Sequence, residues 1–211
     1  MTNCRAILII ALFGIGVCCA ADPENIRDLC PTAPDAKKKP QTVFFNGLPC
    51  KSPSMITPSD FKSSKLASPG DTDNFHGSSV GIVTAADFAG LNTLGLSVGR
   101  MDLEFDGIVM PHSHPRASEM LFVSKGSVIA GFVDTKNQPF QEALKEGDVF
   151  VVPRGLLHYC FNIGYDSATI LSVFNGQNPG SVSISDAMFG LNIPAPNVVN
   201  KLRSTLSLQK K

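Results

Sequence analysis

An excess of either charge is missing from this chain: 18 Lys and Arg stand against 18 Asp and Glu, for a formal net charge of zero. That excludes the broad basic surface with which nucleic-acid modules gather phosphates, and Lys37-Lys38-Lys39 is the one small basic run. An internal repeat, a phosphate-cradling glycine loop, a catalytic serine elbow and an Asn-x-Ser/Thr glycosylation site are absent as well. Past the N-terminus no apolar run approaches the length of a membrane span.

The N-terminus itself reads as a secretory signal peptide over residues 1–21. Arg5 supplies the charge, Ala6 to Val17 the apolar stretch, and Cys18-Cys19-Ala20-Ala21 the small-residue cleavage region, with cleavage expected after Ala20 or Ala21. Three of the six cysteines leave with the leader, so Cys30, Cys50 and Cys160 remain in an oxidising compartment.

What the chain does have is two short constellations that hold three of its four histidines. The first runs Gly107-Ile-Val-Met-Pro-His112-Ser-His114-Pro-Arg-Ala-Ser-Glu119. The second runs Gly147-Asp-Val-Phe-Val-Val-Pro153-Arg-Gly155-Leu-Leu-His158-Tyr-Cys-Phe-Asn162. A His-x-His pair on an extended strand puts both imidazoles on one face, because side chains alternate with period two. Glu119 returns a carboxylate toward that face, and His158 arrives from a later strand after a Pro-x-Gly turn. Three neutral imidazoles and one carboxylate form a mixed nitrogen and oxygen donor set suited to a divalent first-row metal. Spacing alone does not choose among those metals. The fourth histidine, His76, has no ligand-type neighbour at useful spacing and receives no role.

Three regions follow. Residues 22–79 are rich in proline, lysine and serine and read as an arm and loop, with a short strand at Val43-Phe44-Phe45 turned by Asn46-Gly47. Phe61 and Leu66 are candidates to tie this arm to the main body. Residues 80–180 are β-patterned, with strands at Val80–Val83, Leu94–Phe105, Met120–Val123, Ser127–Val133, Val149–Val152, His158–Phe161 and Thr169–Phe174. The apolar phase slips at Gly99-Arg100, which predicts a β-bulge, and Lys125-Gly126 predicts a hairpin. Many short strands with Gly and Pro turns argue for an all-β sandwich or barrel. Residues 181–211 change character: a helical turn at Ser185–Phe189, then a helix capped by Asn197 with Val198, Val199, Leu202 and Leu206 on one face.

The two constellations resemble the paired motifs of the cupins, and His-Ser-His-Pro-Arg-Ala-Ser-Glu resembles the germin box of plant germins and germin-like proteins. The second motif fits the pattern Gly-x5-Pro-x-Gly-x2-His-x3-Asn at each fixed position, whereas Asp106 stands where the first often has glycine. The resemblance extends from the Cys30 segment to Asn178-Pro179-Gly180. It implies a single jelly-roll barrel with short C-terminal helices and a manganese ion, one per chain, held by His112, His114, Glu119 and His158. It also transfers to Cys30 and Cys50 the family's N-terminal disulfide, which the cysteine count favours too. Such a loop stabilises by about 3 kcal/mol in the chain-entropy model. Cys160, in an apolar strand, then reads as a buried inert thiol, with a reactive thiol as the alternative.

For function the resemblance implies a secreted apoplastic or cell-wall protein, first of all a manganese superoxide dismutase whose partner is superoxide or another small anion. A homo-oligomer, the hexamer built as a trimer of dimers, goes with it, although the tail is shorter than the family's two-helix ending. A non-enzymatic binding or structural protein with a structural metal is the alternative. Oxalate oxidase, the activity of true germins, is disfavoured, because Gly99 and Val109 stand where two asparagines are expected.

Overall fold

The structure is a computed structural model describing residues 28–33, 44–45, 47–184 and 196–208. The leader and the helical turn expected at Ser185–Phe189 lie outside the described residues. Two five-stranded antiparallel sheets face each other. In chain order the strands are β1 (Phe44–Phe45), β2 (Leu48–Pro49), β3 (Ser78–Val83), β4 (Ser97–Leu103), β5 (Ile108–Ser113), β6 (Glu119–Lys125) and β7 (Ser127–Val133). They continue as β8 (Pro139–Lys145), β9 (Val149–Val152), β10 (Leu157–Asn162), β11 (Ala168–Phe174) and β12 (Val182–Ser183), and a helix α1 (Pro196–Leu208) follows. One sheet has the order β12-β5-β10-β7-β8 and the other β3-β4-β11-β6-β9. This is the expected all-β jelly roll. No described helix is long and apolar enough to cross a membrane.

Alternation along the strands divides the interior into two halves. At one end Met101, Leu103, Leu121, Val123, Val128, Ala130, Cys160 and Ile170 form an apolar core drawn from both sheets. At the other end the same inward faces carry Ser97, His112, Glu119, His158 and Ser172, all buried. On β11 the change falls between Ile170 and Ser172, one inward step apart. The apolar half holds the sheets together and thereby sets the positions of the polar half.

The arm is pinned as expected. Cys30 and Cys50 form a disulfide, and β1 and β2 pair as a hairpin whose Gly47 has φ +79°, a conformation glycine adopts without steric cost. Leu66 lies over Gly81. Arg100 pairs with Asp102 at 2.9 Å and donates to the Leu66 carbonyl at 3.1 Å, while Asp102 accepts from the Gly70 N–H at 2.9 Å. These bonds bury an ion pair on the outer face of the sheet and bind the 66–70 segment to it.

Four local expectations change. β4 pairs without a register shift against both neighbours, so Gly99-Arg100 is not a bulge. Ser97, Gly99, Met101 and Leu103 all face inward, and the apparent slip came from Leu94 and Leu96, which are exposed residues of a turn before the strand. Lys125-Gly126 is not a hairpin: β6 pairs with β9 and β11, while β7 pairs with β8 and β10 in the opposite sheet. Gly126, at φ +86°, crosses between sheets, and a Cβ there would meet the Ala168 backbone at 2.9 Å. β8 was not expected, because it is an edge strand with only Leu144 buried and so has little apolar pattern. Finally, α1 begins at Pro196, which suits a first turn because its missing N–H needs no partner there. Asn197 therefore lies inside the helix; of its expected apolar face, Val199 is buried.

Candidate metal centre

Pro111 is where the sequence turns a strand into a ligand platform. Between Val109, opposite Cys160, and His112, opposite His158, strand β5 holds two residues where β10 holds one, which makes a bulge at Met110-Pro111. Proline has no N–H for the ladder and is tolerated at such bulges. The extra residue reverses the alternation: Val109 faces the core, and after the bulge His112 and then His114 face inward too. Strand β10 keeps strict alternation, so His158, Cys160 and Asn162 share the inner face. Glu119 opens β6 on the facing sheet.

The punctuation of both motifs ties them together. Asn162 N–H donates to the Gly107 carbonyl at 2.9 Å, and Gly155 N–H donates to that of His114 at 3.0 Å. A Cβ at Gly107 would stand 2.4 Å from the Gly77 carbonyl oxygen, so this position admits only glycine. Asp106 adopts the left-handed region at φ 60°, which Asp tolerates better than most residues. That accounts for Asp in a place where glycine is common. The Asn162 amide donates to the carbonyls of Glu104 and Asp166, each at 2.8 Å, and accepts from Gly164 N–H at 2.9 Å.

The result is one buried cluster. Donor atoms of His112, His114, Glu119 and His158 all lie within 4.8 Å of one another, and each residue is at most 8% exposed. The structure thus brings together all four residues singled out from sequence. His76 lies outside the cluster on an exposed loop. Each imidazole spends its Nδ1–H on a backbone carbonyl: His112 on Met110 at 2.9 Å, His114 on Gly180 at 2.5 Å and His158 on Leu156 at 2.9 Å. A carbonyl oxygen only accepts, so these bonds fix the tautomer and leave each Nε2 lone pair free. His158 Nε2 stands 3.0 Å and His114 Nε2 3.6 Å from Glu119 Oε2.

Electrostatics suits the same arrangement. Burial pushes the His112 ring down from 6.5 to about 4, and His158 adds to the effect. Burial also lowers His114. For Glu119 burial alone would raise the carboxyl, but the polar neighbours His158, Ser172 and His114 hold it below its ordinary value. Glu119 Oε2 and His158 Nε2 are buried without a hydrogen-bond partner. Two imidazoles kept neutral by burial, an ionised carboxylate and orphaned buried polar atoms aimed at one point fit a divalent cation.

Sequence reasoning missed the groups that orient the ligands. The Gly180 carbonyl is held in place because Arg116 grips Asn178 through its carbonyl at 2.8 Å and its Oδ1 at 3.0 Å. The Phe174 ring packs edge-on to His114, with ring centroids 4.7 Å apart. Gly99 faces inward behind that ring, and a Cβ there would meet Phe174 and Ser172 at 3.3 Å. Val109 is buried in the apolar core. Cys160 is 2% exposed, and burial, reinforced by the Glu119 charge, pushes its thiol far above the ordinary value. It matches the inert reading.

A facing pair of sheets with a buried three-histidine, one-carboxylate centre defines the cupin class, and the family model described as Cupin matches residues 64–205. The chain is 54% identical to germin-like protein subfamily 3 member 4 of Arabidopsis thaliana, over 88% of this chain and 86% of that one. It is 52% identical to germin-like protein 11-1 of Oryza sativa subsp. japonica, over 88% and 82% respectively. A solved structure of oxalate oxidase in complex with the substrate analogue glycolate superposes with a TM-score of 0.78 at 36% identity, covering 90% of this chain and 96% of that one. The chain belongs to the germin-like proteins of the cupin family.

Proposed function

We propose that this chain is a secreted manganese metalloprotein that dismutes superoxide in the extracellular space, the apoplast and cell wall, as a homo-oligomer freed of its leader over residues 1–21. The observation that carries this reading is the convergence of His112, His114, Glu119 and His158, with their donor atoms within 4.8 Å. These four would hold the ion. When bound, manganese supplies one-electron cycling between its +2 and +3 states, which matches the balance of two superoxide ions and two protons giving dioxygen and hydrogen peroxide.

The chain's own residues prepare the site. Burial keeps the His112 and His114 rings neutral, so their Nε2 atoms need not lose a proton before accepting a cation. The three backbone carbonyls hold ring orientation. Phe174 and the apolar core limit the water that reaches the centre, which tunes acidity and redox behaviour. The Cys30–Cys50 disulfide fits an oxidising compartment.

Likeness to the oxalate oxidase structure raises that activity as a second reading. Orienting a dicarboxylate calls for polar donors beside the metal. Position 99 is a glycine backed by Phe174, and position 109 is a valine facing the apolar core. Neither supplies one.

The deciding experiment purifies the secreted protein without added metal and measures metal content and superoxide dismutation for wild type and His112→Ala. The expected result is about one manganese per chain, with dismutation lost in the variant. Manganese without dismutation in a folded, assembled protein would sink the enzymatic reading in favour of a structural metal. Peroxide formed from oxalate would replace it with the oxidase.

A further inference from the structure

We propose that Ser172 is a positioning residue of the metal centre, its hydroxyl donating a hydrogen bond to the Glu119 carboxylate. The inference rests on the metal-binding reading above. The inward side chains of β11 are Ala168, Ile170, Ser172 and Phe174, all buried, and Ser172 is the one polar member. A buried hydroxyl with no partner costs about 1–3 kcal/mol, so an apolar residue would serve a purely structural strand better.

Ser97, on the same inner layer, shows how such a hydroxyl is ordinarily satisfied, since it donates to the Gly176 carbonyl at 2.7 Å. Ser172 is 2% exposed and closes no regular bond of that kind. Its Oγ, Glu119 Oε2 and His158 Nε2 are three of the few buried polar atoms left without a hydrogen-bond partner among the described residues. Two of the three belong to the metal centre. Strand register explains the third. Ser172 lies opposite Leu121 and Phe174 lies opposite Glu119, so Ser172 and Glu119 are diagonal neighbours on one face, within reach of their side chains. On its other side Ser172 faces Gly99. A Cβ added there would stand 3.3 Å from the serine Cβ, so glycine leaves the hydroxyl room to turn. Interaction with Ser172 also contributes to keeping Glu119 ionised.

The chemistry follows from the donor inventory. An ionised carboxylate only accepts, whereas a serine hydroxyl can donate in whichever direction it rotates. A donor behind Glu119 restricts rotation of its carboxylate and keeps one oxygen aimed at the three imidazoles. Partners placed behind metal ligands in this way typically change metal affinity 10–100-fold.

The test titrates Mn2+ into the metal-free full chain and follows the electron paramagnetic resonance of the unbound aqueous ion, for wild type, Ser172→Ala, Ser172→Thr and Ser172→Val. Thr and Val have nearly equal volume and differ in the hydroxyl. We expect Ala and Val to bind at least about tenfold more weakly and Thr to stay close to wild type, with similar melting of all metal-free forms. Wild-type affinity in Ser172→Ala overturns the proposal. So does equal weakening in Thr and Val, which would mark a packing effect. If the branched variants fail to fold, the comparison of Ala with wild type decides alone. Failure of wild type to bind Mn2+ overturns the metal reading and this inference with it, whereas binding unchanged by Ala removes this inference only.

Discussion

Each of the three clustered imidazoles is oriented by one backbone carbonyl, and burial of the His112 and His114 rings in their neutral form makes the metal-free protein sensitive to acid. His112 titrates near 4 when folded against 6.5 as a free side chain. Between those values the unfolded chain binds a proton that the folded chain refuses. Stability is therefore fully present above about pH 6.5 and is lost as pH falls toward 4. His112 alone accounts for a loss on the order of 2 kcal/mol between pH 6.5 and 5, and His114 shifts in the same direction. Urea unfolding of the metal-free protein at pH 7.5 and pH 5 measures it. An unchanged midpoint would show that these rings are not buried neutral. At this scale sequence reading served well, because donor type and spacing are written directly in the chain. It did not reach Ser172, Phe174 or the Gly180 carbonyl, which meet the ligands only through register between distant strands.

At the scale of elements, Asn162 does more than end a motif. Its side chain bonds Glu104, Asp166 and Gly164, and its backbone bonds Gly107. It thus closes the β10–β11 turn onto the β4–β5 turn at the end of the barrel away from the histidines. Asn162→Ala should lower stability by about 2 kcal/mol, since it orphans a partly buried N–H and two carbonyls. Chemical denaturation against wild type checks this, and a loss below about 1 kcal/mol would mean that water replaces the amide. The Met110-Pro111 bulge is the other decisive element, because it turns both germin-box histidines inward. Sequence reading expected a bulge in β4 instead. An alternation read without strand boundaries cannot separate a slip of phase from a turn that joins a strand.

For the whole molecule, the outer face of β11, β6 and β9 is apolar in two rows. Val173, Met120 and Val151 lie side by side, as do Leu171, Phe122 and Val149, and all six are exposed. Single exposed apolar residues are ordinary, but a contiguous patch marks an interaction surface. Under the proposed homo-oligomer this face is a contact between subunits. Light scattering coupled to size exclusion should give a multiple of the chain mass for wild type and a smaller species for Phe122→Lys. A wild-type protein that elutes as a single chain would remove the oligomer from the proposal.

The sequence by itself determined an all-β sandwich or barrel and the four side chains that cluster, because strand alternation, turn glycines and donor identity are local properties. The jelly roll came with the family resemblance, and the Cys30–Cys50 pair with that resemblance and the cysteine count. Tertiary structure decided which strands pair, where the chain crosses between sheets and which groups stand behind the ligands. Lys125-Gly126 looks like a hairpin along the chain and is a crossing in space, since whether two strands pair depends on partners dozens of residues away. Ser172 looks like one polar residue in an apolar strand, and only the register of β11 against β6 puts it beside Glu119.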